Sequence, residues 1–193
     1  MSRIDNRKDL LLLLLYLPGQ TGKLCAPVRG RTRLMKLLFL MEHEINLPKM
    51  LDIRNWYEFE PYTFGPFTHE VFEDIEFLQN VGLIGSSTKG PSSIVESEET
   101  RRAIDLELQE FGEPQADAEE QDPVVNEEVY ALSSKGKAFV EKRLLASLDP
   151  SARKAIAAMK TRAGSLTLSS LLKYVYTRFP DFTSRSELNH FRP

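Results

Sequence analysis

The chain has a single cysteine, Cys25. One thiol closes no internal disulfide, and a structural zinc needs four ligands, so a disulfide framework and a cysteine-built zinc site are excluded. A reducing, cytoplasmic setting is the natural expectation. Histidine is also scarce: His43, His69 and His190 are all there are. No two sit at i, i+4, and no His-Glu-x-x-His pattern occurs. Glu42, His43 and Glu44 are consecutive, so on a helix they point in different directions. His69 and Glu73 stand at i, i+4 and read as an ion pair, because two ligands fall short of a metal site. "GQTGK", Gly19 to Lys23, lacks P-loop spacing and has Leu24 where Ser or Thr is required. There is no Gly-x-Ser-x-Gly elbow. Long hydrophobic runs are missing as well. Leu10 to Leu17 gives eight apolar residues, too few to span a bilayer. Asp5 and Asp9 intrude on a signal-peptide pattern and no small-residue cleavage site follows, so a buried helix is expected. Neither a metal nor a cofactor nor a membrane span is expected, and an enzyme is the least favoured class.

What is present supports a folded core. Of the 193 residues, 41% are hydrophobic, and that length suggests one domain or one plus a small appendage. The net charge of −3 hides a division: residues 1–58 carry +4, 59–95 carry −4, 96–128 carry −11 and 133–193 carry +8. Asymmetry of this size bears on interactions rather than on fold.

Periodicity lays out the elements. Asp5 to Leu17 reads as a helix stopped by Pro18-Gly19. Arg31 to Ile45 reads as a second, with Leu34, Leu37, Leu38, Met41 and Ile45 on one face. Arg31, Arg33 and Lys36 occupy its first turns, where the helix dipole disfavours cations, so they read as solvated charge or as facing a carboxylate or a partner. Tyr57 to Phe67 reads as irregular or partly extended, since Pro61 and Pro66 forbid helix across it. Pro66 fits the first position of a third helix running to Val81, with Phe67, Val71, Ile75 and Leu78 as its apolar stripe and Gly82 as its stop. "LIGSS" and "EEVYALSS" read as two paired strands. The stretch between them, 96–128, has no apolar period through "GEPQADAEEQDP" and reads as a disordered acidic loop, with a short helix at Ile104, Leu108 and Phe111 before it. Ser133 or Ser134 caps a further helix. Asp149 and Pro150 start another, and Leu168, Leu171, Leu172, Val175 and Phe179 face inward on the last.

The expected fold is mostly α with a small β-hairpin: a winged-helix-like domain over 1–148 with an elongated acidic wing, then a helical C-terminal extension over 149–193. Three stretches, "RTRLMKLLFLMEH", "FEPYTFGPFTHEVFEDIEFLQNVGLI" and "SLLKYVYTRFPDFTSRSE", resemble YwgA-like proteins and, more distantly, the Panacea domain of SocA-type antitoxins. The covered part is about Arg31–Ile84 plus Leu166–Glu187. The resemblance implies a winged-helix-like fold, no known catalytic activity, and frequent roles in toxin neutralisation or phage-defence neighbourhoods. The sequence departs from the Panacea pattern where Phe64, rather than Trp, precedes Gly65-Pro66.

In a winged helix the third helix takes the DNA-reading position. Here it carries Glu70, Glu73, Asp74 and Glu76 and no base, which suits a major groove poorly because phosphates repel carboxylates and bases want donors. A protein partner, a toxin or defence component, is therefore expected. Its contacts would be Tyr62, Phe64, Gly65, Pro66, Glu70 and Glu73, although the aromatics equally read as sealing the core. The alternative is a DNA-binding regulator touching nucleic acid through Arg29, Arg31, Arg33, Lys36, Lys135, Lys137, Arg153 and Lys154, with Lys160 and Arg162 among the nearby bases. In that reading the acidic insert could fold back over the basic surface. The Leu-rich first two helices leave a homodimer open, since periodicity does not separate core from dimer interface.

Overall fold

The computed structural model describes residues 4–89 and 127–184. The expected acidic loop up to residue 126, the helix at Ile104–Phe111 and the tail from residue 185 lie outside them.

Helix α1 spans Arg7–Tyr16. Its start is a capping box: the Asn6 side chain accepts from the Lys8 N–H while Asp9 turns back to accept from the Asn6 and Asp5 N–H groups. Leu10 to Leu17 are buried on every side, as an all-apolar helix must be. Strand β1, Val28–Arg29, follows and was not anticipated. Helix α2, Arg31–His43, buries the expected Leu34, Leu37, Leu38 and Met41, and also Met35, Lys36, Phe39 and Glu42, so it has little solvent face.

The aromatic-Gly-Pro stretch departs from expectation. Pro66 does not open a helix. Glu60–Tyr62 (β2) and Gly65–Phe67 (β3) form an antiparallel hairpin in which Pro61 faces Pro66 and Tyr62 faces Gly65. Cross-strand pairing holds residues 65–67 extended, so helix α3 runs Glu70–Asn80 and starts later than the sequence suggests. Gly82 ends it at φ +72, where glycine is unstrained. Strands β4, Ile84–Lys89, and β5, Glu127–Leu132, pair antiparallel as expected, with Ile84 opposite Leu132 and Ser86 opposite Tyr130. Strand β1 pairs with the other edge of β5, Val28 opposite Tyr130, giving the order β1-β5-β4.

Helix α4, Ser134–Phe139, is capped by Ser133, whose side chain accepts from the Gly136 N–H. It widens to a π turn over Val140–Leu144 and ends in a 3₁₀ turn, Leu145–Ser147. Helix α5 spans Pro150–Gly164, with Asp149 as cap, and α6 spans Leu168–Arg178, with Thr167 as cap. The molecule is thus mostly helical with a small antiparallel sheet. Ile156, Met159, Leu171 and Val175 from the last two helices join the leucines of α1 and α2 in one core cluster, so packing is continuous across residue 148.

Candidate interaction surfaces

The hairpin is a core element. Phe64 is only 4% exposed and packs with Leu168, Leu172 and Tyr176 of α6. Gly65 lies at φ +86 with the Tyr176 ring so close that an added Cβ would be 3.0 Å from Cε2. Pro66 is buried, and its carbonyl accepts from the Lys36 ammonium at 2.9 Å. Tyr62 is half-buried and stacks on Phe67 with ring centroids 5.0 Å apart. Phe64, Gly65 and Pro66 are therefore inside the protein rather than on a contact surface. Lys36, at 1% exposure, does not reach solvent where nucleic acid would lie.

The acidic helix α3 is half committed to its own fold. Asp74 is buried and accepts from Arg7 Nε at 2.9 Å and from Lys8 Nζ at 2.8 Å. Glu70 pairs with Arg7 and accepts from the Glu58 N–H. Burial alone would pull the Arg7 guanidinium down, but the Asp74 and Glu70 carboxylates outweigh it and hold the group above its ordinary value. The Tyr57 phenol, buried against Asp74, is pushed well up. Glu42 lies in the same region, accepting from the Tyr57 N–H at 3.2 Å; burial raises it to about 8, helped by the Glu70 charge. This network joins α1, α2, the 57–58 segment and α3.

What remains on the solvent side of α3 is a line of His69, Glu73, Glu76, Phe77 and Asn80. The Glu73 side chain is 72% exposed, with only a 4.0 Å approach to Arg7. Phe77 is 51% exposed, and the Lys8 ammonium sits 5.3 Å from its ring centroid. Phe77 was not among the expected contacts. Its signal is legible: it falls off the 71-75-78 stripe, on the polar side of the helix that carries Glu73 and Glu76.

The basic residues do not form one face. Arg31 pairs with Glu128 at 2.7 Å and with the Tyr130 hydroxyl, so it faces a carboxylate. Burial and Glu128 together push the Tyr130 phenol up. Arg33 donates to the Leu166 carbonyl at 2.8 Å and Lys135 to the Val81 carbonyl at 2.7 Å. Lys160 is buried, capping the end of α1 by donating to Leu17 O at 2.7 Å and to Ala26 O at 3.1 Å, and burial lowers it to about 8. Arg162 pairs with Glu44. Arg29, on β1, is exposed, and Lys137 approaches Glu141 at 4.0 Å. Arg153 and Lys154 are exposed and line a cleft of about 280 Å³ with Leu17, Pro18, Leu24 and Ala157.

Among the described residues no three His, Cys, Asp or Glu side chains gather as metal ligands, and no helix is long and apolar enough to cross a membrane. No family model matches the chain, and no curated protein matches it.

Proposed function

We propose that the chain is a non-enzymatic, winged-helix-like interaction module whose α3 face binds a protein partner carrying a basic patch. The element order supports the winged-helix reading: three helices with β1 between the first two, then a β4–β5 hairpin whose second strand pairs with β1. The observation that carries the binding reading is the outer face of α3. It holds Glu73, Glu76 and an exposed Phe77, and the helix contains no Lys or Arg. An exposed aromatic with charged side chains at its edge is the arrangement of an interface anchor with a polar rim. The same carboxylates in a major groove would lie near phosphates. The resemblance to YwgA-like and Panacea sequences makes the partner a toxin or a defence component in a regulatory complex.

The alternative, a DNA-binding regulator, rests on the exposed Arg153, Lys154 and Lys137. Affinity purification of the tagged chain from its source cells, with and without nuclease, separates the two. A protein retained through nuclease and lost from a Glu73→Lys/Glu76→Lys variant is the expected result. Retention of nucleic acid, lost from an Arg153→Glu/Lys154→Glu variant, supports the alternative instead.

A further inference from the structure

We propose that the chain self-associates head to tail, Phe77 of one copy seating in the cleft that Pro18, Leu24 and Ala157 form on the next. Three large apolar side chains are exposed among the described residues, and two of them, Phe77 at 51% and Leu24 at 45%, belong to these two surfaces. The surfaces sit at opposite ends of α1. Its first turn carries Arg7 and Lys8, which hold α3, and Leu17-Pro18 at its other end forms one wall of the cleft. Ten helical residues separate the two ends by about 15 Å, so neither surface can satisfy the other within one copy.

The charges complement. At the α3 end Arg7 and Lys8 are matched at close range by Glu70 and Asp74, so Glu73 keeps only its 4.0 Å approach to Arg7, and among the described residues Glu76 pairs with no base. At the cleft end Arg153 and Lys154 stand at the rim. Asp149 and Glu141 lie near them, while Lys137 offsets Glu141 and Lys23, next to Leu24 in the chain, is exposed. A phenyl ring entering the cleft would bring Glu73 and Glu76 onto Arg153 and Lys154. At about 280 Å³ the cleft has room for one phenyl side chain. Because knob and socket are different surfaces, the contact is heterologous, and it either closes into a ring or runs on. It also covers the α3 face, so every copy but a terminal one is closed to a partner there. The inference shares α3 with the partner reading and stands without it.

Sedimentation velocity on the full chain over a range of concentration and salt tests it. The expected result is mass growth past two copies at low salt, weakening as salt rises. Phe77→Asp removes the knob and Leu24→Asp the socket, and each should weaken association about tenfold or more, with circular dichroism unchanged. An equimolar mixture of the two variants should form a dimer and stop there, since one intact knob meets one intact socket. A wild-type chain that stays monomeric at every concentration overturns the proposal, as does a mixture that forms no dimer. Self-association of Leu24→Asp equal to wild type overturns it too, because it places the contact elsewhere. Leu24→Asp keeps α3 intact and should still capture a protein partner, so loss of self-association and loss of partner binding are read separately.

Discussion

Lys36 and Pro66 lie thirty positions apart and meet in a buried hydrogen bond of 2.9 Å. The Lys-Leu helix and the aromatic-Gly-Pro stretch are therefore two halves of one packing contact. A charge in an early helical turn reads as solvated, yet Leu34, Met35, Leu37 and Leu38 crowd Lys36 on both sides, and that density was the legible sign of burial. Gly65 is the tighter constraint, through its positive φ and the Tyr176 ring against it. Gly65→Ala should destabilise by about 1–3 kcal/mol, read by denaturant titration; an unchanged midpoint would mean the hairpin does not hold this backbone. Glu42 makes a pH prediction. Its folded-state value, raised to about 8, lies above its ordinary value of 4.5, so between those limits the folded state binds more protons than the unfolded one. Its contribution is thus greatest in acid and is lost as pH rises through that window, with a slope approaching about 1.4 kcal/mol per pH unit. Glu42→Gln should gain stability relative to wild type from pH 5 to pH 8. A constant difference across that range contradicts the assignment.

At the level of elements, strongly periodic segments were legible and short ones were not. The cores of α1, α2, α5 and α6 and the β4–β5 pairing follow from apolar spacing and caps. Strand β1 is two residues long and carries no period, so only its partner β5 defines it. The sequence alone sets the start of α3 at Pro66, a residue that suits both a helix start and a strand, and pairing with β2 decides for the strand. The outer acidity of α3 was legible, whereas its division was not. Asp74 and Glu70 are consumed by Arg7 and Lys8, a contact spanning more than sixty residues of chain. Asp74→Ala should cost about 3 kcal/mol, since it removes the buried carboxylate that Arg7 and Lys8 share and leaves Arg7 to Glu70 alone, while Glu73→Ala on the solvent side should cost well under ~1 kcal/mol. Thermal melts of the two variants compare them directly; equal losses would place Asp74 outside the network.

Over the whole molecule, the expected division at residue 148 is not mirrored in the packing. Ile156, Met159, Leu171 and Val175 close the same cluster that buries Leu10 to Leu17. A fragment of residues 1–148 should therefore lack a cooperative unfolding transition, as followed by near-ultraviolet circular dichroism; a sharp transition in that fragment would show a separable domain. Segment charges pointed to a polarised surface, but periodicity could not tell which bases are free. Tertiary contacts spend Arg31, Arg33, Lys36, Lys160 and Arg162 internally and leave Arg29, Lys137, Arg153 and Lys154 exposed.

On the reading proposed above, the outer face of α3 binds a basic protein partner. Nuclease-treated affinity purification of wild type beside Glu73→Lys/Glu76→Lys and Phe77→Ala tests it most directly. A protein partner held by wild type and depleted from both variants is the predicted result. Equal recovery from all three, or recovery of nucleic acid alone, contradicts it.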